Sequence, residues 1–69
     1  MPKYEVVIYW SAPDEAYVAE VPDLPGCAAD GATYREALDN VEVVIAEWVD
    51  TARSLGRPVP DPRERRALA

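Results

Sequence analysis

Asp14, Glu15, Glu20, Asp23 and Asp30 are the side chains whose type and spacing come nearest to chemistry. Clustered carboxylates can hold the paired divalent ions that drive phosphoryl transfer, and that is the catalytic reading these five acids invite. Such a centre needs its acids to converge on a basic, phosphate-accepting cleft. No basic cluster stands near them in sequence, and turn and cap propensity accounts for Asp14, Asp23 and Asp30 without a metal. The chain has no histidine and one cysteine, which excludes an imidazole base, a Ser-His-Asp or Cys-His arrangement, a Cys/His zinc set and an internal disulfide. Cys27 has no neighbouring Lys or Arg to stabilise a thiolate and reads as a small buried hydrophobe. No cofactor or metal is implied, and the expected function is binding rather than catalysis.

Charge narrows the class of partner. Among 69 residues, 7 basic groups stand against 13 acidic ones, a formal net of -6. The balance is uneven: Lys3, Arg35, Arg53 and Arg57 are the only cations before residue 61, whereas Arg63, Arg65 and Arg66 crowd the last nine positions. An acidic body repels phosphate backbones and speeds its encounter with basic proteins. The plainer reading is that the charge serves solubility. No apolar run approaches the roughly 18 residues of a membrane span. A glutamate at position 5 interrupts the place where a signal peptide would turn apolar, so a cytoplasmic location is expected.

The elements that would position these groups follow from period and punctuation. Tyr4 to Trp10 is rich in β-branched and aromatic residues and predicts a strand, with Tyr4, Val6, Ile8 and Trp10 on one face and Glu5, Val7 and Tyr9 on the other. Ser11 to Glu15 predicts a hairpin loop, followed by a second strand from Ala16 to Val21. In Pro22-Asp23-Leu24-Pro25-Gly26-Cys27 the prolines end the strand, and Pro25-Gly26 suits the centre of a type II turn. Cys27 to Gly31 is a short third strand of small residues.

Thr33 to Glu36 forms a T-x-x-E capping box that opens a helix running from Tyr34 to about Leu55, with Gly56 as its left-handed terminator and Pro58 barring continuation. Its apolar stripe runs through Tyr34, Ala37, Leu38, Val41, Val44, Ile45, Trp48, Val49, Ala52 and Leu55, while Glu36, Asp39, Glu42, Glu47, Asp50 and Arg53 line the other side around Val43. Three prolines between Arg57 and Pro62 predict extended chain, with room for a short edge pairing near Val59. Residues 1–60 read as the domain and 61–69 as a flexible arginine-containing tail.

These elements compose an α+β domain: a small antiparallel sheet of three to four strands with one long helix packed on one face. The set Tyr4, Val6, Ile8 and Trp10 is expected to meet the helix, with Trp10 and Trp48 as core anchors beside Tyr4 and Tyr17. The opposite face then presents Val7, Tyr9 and Val18 to water, and a contiguous apolar patch there suggests an interface. Candidate interface residues are therefore Val7, Tyr9, Val18, Glu20, Asp23 and Val43. A core this small yields only about 3–5 kcal/mol, so self-association is a natural supplement.

The path from the Y-x-V-x-I-x-W strand (Tyr4 to Trp10), through A-Y-V-A-E-V-P-D-L-P-G-C (Ala16 to Cys27), to D-G-A-T-Y-R-E-A-L (Asp30 to Leu38) resembles the HicB-like antitoxin domain. The likeness spans about residues 4–55. It implies a β-β-β-α-β domain like a partial RNase H fold that associates as a dimer or tetramer. It also implies a partner, a small basic HicA-type toxin that cleaves mRNA. Many family members carry a C-terminal DNA-binding module, but the thirteen residues after Gly56 are too few for one, so direct DNA binding is not expected. The rival reading from the same residues is a self-associating structural or regulatory module without a toxin.

Overall fold

The computed structural model describes residues 4–62. Strands β1 (Val7–Ser11), β2 (Ala16–Glu20) and β3 (Ala28–Gly31) precede one helix, α1 (Tyr34–Ser54). The strands form an antiparallel meander in the order β1-β2-β3. The helix lies across one face, which gives the two-layer α+β architecture that the alternation and the capping box imply.

β1 and β2 pair from Val7↔Glu20 to Ser11↔Ala16, so Ser11 belongs to the ladder and the loop shrinks to residues 12–15. Glu15 closes that loop in the left-handed region at φ 49°. Its amide donates to the Ala12 carbonyl at 3.2 Å, and Ser11 Oγ donates to Asp14 Oδ2 at 2.8 Å. After β2, the Cys27 amide donates to the Leu24 carbonyl at 3.0 Å around Pro25-Gly26, where Gly26 has φ +77°, the geometry of a type II turn. A second bond, from the Val21 amide to the Cys27 carbonyl at 3.0 Å, rolls the loop shut and drives Leu24 completely out of solvent.

α1 begins where Thr33 Oγ1 accepts from the Glu36 amide at 3.0 Å. It ends in a Schellman motif: the Gly56 amide donates to the Arg53 carbonyl at 3.1 Å and the Arg57 amide to Ala52 at 2.8 Å. Ala37, Val41, Ile45 and Val49 descend from the helix onto Ala19, Val21, Leu24 and Cys27, and these residues make the core.

The lateral position of the helix departs from expectation. α1 packs mainly over β3 and β2 and only grazes β1. The inner residues of β3 are Ala29 and Gly31, opposite Ala19 and Tyr17, and their small size lets the helix settle there. β1 is left at the uncovered margin. Trp10, expected as a core anchor, is 52% exposed, while Tyr4, Val6 and Ile8 are half-buried against the core's edge. Trp48 does serve as an anchor; it packs on the core and its Nε1 donates to the Pro25 carbonyl at 2.9 Å. Tyr34 and Leu55 depart from the expected buried stripe. Leu55 is exposed because a 21-residue helix, at about 1.5 Å per residue, overruns strands of four or five residues, and Tyr34 is exposed although its ring rests on Tyr17.

No fourth strand forms among the described residues. Proline at 58, 60 and 62 removes alternate ladder donors, so the chain runs past the sheet in irregular form. Its attachment is different: Val59 rests on the core and Tyr4 Oη donates to the Pro60 carbonyl. The flexible tail expected for residues 61–69 lies outside the described residues from position 63 onward.

Candidate interaction surfaces

The sheet face turned away from the helix collects four of the six residues expected at an interface. Register places Val7 opposite Glu20 and Tyr9 opposite Val18, with Val18 opposite Asp30 on the other side. All these side chains stand on one surface, together with Ala16 and Ala28. Val7 and Tyr9 are 42% and 41% exposed. Tyr9 Oη reaches diagonally across the ladder and donates to Glu20 Oε2 at 3.0 Å. This bond favours the protonated phenol and pushes the Tyr9 pKa above its ordinary value, with smaller contributions from desolvation and from the charges of Glu20 and Asp14.

The other two expected residues stand elsewhere. Asp23 sits in the turn between β2 and β3, and Val43 projects from the far side of α1, across both layers from Tyr9. Val43 is 60% exposed, an isolated valine among acids. The motif Pro22 to Cys27 is structural: it seats Leu24 and offers the Pro25 carbonyl to Trp48. Cys27 is buried within it, and burial raises its thiol pKa.

The five acids of the catalytic reading are scattered over a hairpin loop, the outer sheet face and the Pro22–Cys27 turn. Among the described residues, no three His, Cys, Asp or Glu side chains gather as a metal site.

A surface that the periodicity did not reveal lies at the hairpin end of the inner face. Trp10 meets Tyr17 edge-on at 5.1 Å between ring centroids, and Tyr17 meets Tyr34 at 4.3 Å with a 36° tilt. The three rings form a ladder from β1 through β2 to the first turn of α1. Its outer members, Trp10 and Tyr34, are both more than half exposed. Cross-strand pairing sets Trp10 beside Tyr17, and Tyr34 joins them only because α1 lies over β3 and β2.

With this geometry in hand, the chain matches over residues 4–68 the family described as HicB_like antitoxin of bacterial toxin-antitoxin system. The chain belongs to the HicB-like antitoxin family. Among its relatives, UPF0150 protein ssl0259 of Synechocystis sp. is 39% identical over 57 residues, spanning 83% of this chain and 77% of that protein. UPF0150 protein Ta0767 of Thermoplasma acidophilum is 36% identical over 58 residues, spanning 84% and 83%. No solved structure gives a significant match. Within this HicB-like domain the G-x-T-x-x-E-A stretch is a strand-to-helix corner. Gly31 abuts the helix backbone, Thr33 caps it, and Ala37 is fully buried. Among the described residues, no helix of the HicB-like domain is long and apolar enough to cross a membrane.

Proposed function

We propose that this domain is a non-catalytic, cytoplasmic antitoxin that binds a small basic mRNA-cleaving toxin and denies it access to RNA. Membership in the antitoxin family supports the role, and the charge distribution supports the manner. RNA-cleaving proteins attract phosphate with basic surfaces, so a partner carrying eleven acids against four cations in residues 1–60 neutralises that surface by competition for it. Glu20, Asp23 and the helix acids set up the field that accelerates encounter, and apolar contact slows release.

The single observation that carries the reading is the acid excess of a domain of this family, and beside Glu20 and Asp30 its outer sheet face also holds an apolar set. Val7, Tyr9 and Val18 give contact area where little of the acidic helix intrudes, which suits them to joining copies of the chain into a dimer or tetramer. The decisive experiment is an RNA-cleavage assay with the small basic protein encoded beside this chain. Cleavage should stop at stoichiometric antitoxin, and undiminished cleavage in its excess would refute the proposal. Light scattering on the wild type and on Val7→Asp tests the assembly, which should fall to a monomer in the variant.

A further inference from the structure

We infer that the Trp10–Tyr17–Tyr34 ladder is the contact point for an arginine presented by a basic protein partner, a refinement that rests on the antitoxin reading. Three observations lead there. The rings touch in series, edge-on between Trp10 and Tyr17 and tilted between Tyr17 and Tyr34, so their orientation is set before any partner arrives. Yet Trp10 and Tyr34 each keep more than half of their surface open to solvent. A guanidinium binds such faces both by its charge and by planar stacking. The domain is anionic as a whole, with eleven acids against four cations in residues 1–60. Glu15 in the hairpin loop and Glu36 in the first turn of α1 are among them, while Asp14, bonded to Ser11, lies toward the Tyr9 face. The local cation, Arg35, is already engaged with Asp39 at 3.4 Å.

The same charges weigh against other occupants. Base stacking on aromatic rings requires a basic groove to follow the phosphates, and residues 1–60 hold only four cations against eleven acids. A second copy offers few cations for the rings, only four in residues 1–60. Exposed tryptophan and tyrosine on an acidic domain therefore favour a cationic protein surface, and these residue types with arginine dominate binding energy at interfaces.

The test uses the full chain with nona-arginine, nona-lysine and an oligouridine RNA as probes, followed by amide and indole NMR shifts. Nona-arginine should shift the Trp10 indole and the Tyr34 amide selectively and bind about fivefold tighter than nona-lysine. Trp10→Ala and Trp10→Leu should each weaken it about fivefold, since leucine restores apolar bulk without a π face, and Val43→Ala should change nothing. Both tryptophan variants alter an exposed side chain, and unchanged far-UV circular dichroism verifies their fold. Equal binding of the two peptides with no effect of Trp10→Ala would overturn the inference in favour of diffuse charge. Trp10 shifts with RNA, or with protein concentration alone, would assign the ladder to base stacking or to a second copy. Applied to the toxin, a complex unaffected by Trp10→Leu sinks the ladder and leaves the antitoxin reading standing. Selective nona-arginine binding with no toxin complex does the reverse.

Discussion

A β-carbon at Gly31 would sit 2.5 Å from the backbone nitrogen of Ala37. The end of β3 and the first turn of α1 thus touch backbone to backbone, and the obstacle is main chain that cannot rotate away. Gly31→Ala should push the helix off the sheet and destabilise the fold by about 2–3 kcal/mol, as overpacking does. Urea unfolding measures it, and a change below the error of the midpoint would show that the two backbones do not meet this closely.

Gly26 is sensitive for a different reason. Nothing lies within 4 Å of the β-carbon position there, so only its φ of +77° resists a side chain. Gly26→Ala should therefore cost about 1 kcal/mol, less than the change at Gly31, and Gly26→Asn should cost less still because asparagine tolerates the left-handed region. The order of the three variants is the diagnostic.

Glu15 holds a left-handed conformation that a glutamate pays for in steric strain, at φ 49°. Glu15→Asn should raise stability by about 0.5–1 kcal/mol by relaxing the hairpin loop without loosening the unfolded chain as glycine does. A lowered thermal midpoint for this variant contradicts the loop geometry.

The Tyr9–Glu20 bond predicts a pH response. Because the folded state raises the Tyr9 pKa, it keeps the phenolic proton at pH values where the unfolded chain has lost it. The resulting stabilisation is complete below the unfolded value of about 10 and disappears as pH climbs through the folded pKa. Carbon-13 NMR at Tyr9 Cζ should report a midpoint above that of a free tyrosine, and Glu20→Gln should bring it down. An unchanged midpoint in Glu20→Gln breaks the assignment.

Local chemistry was legible from the residues alone. Alternation over Val7 to Trp10 and Ala16 to Glu20 put Val7, Tyr9, Val18 and Glu20 on one face, because side chains in a strand alternate whatever the fold around them. Thr33, Glu36 and Gly56 marked the ends of α1, and Pro25-Gly26 marked the turn, because each answers a backbone demand settled within a few residues. The motif likeness reached the family for the same reason: its glycine, threonine and prolines meet local constraints.

What only the tertiary structure decided is where the helix lies across the sheet. Periodicity says which side of an element is apolar, but not which of several apolar strands it will cover. That choice fell to volume: Ala29 and Gly31 on β3 admit the helix backbone, so α1 settles over that edge and leaves Trp10 more than half exposed. One lateral shift, invisible in any single strand or helix, turns an expected core tryptophan into the exposed end of an aromatic ladder.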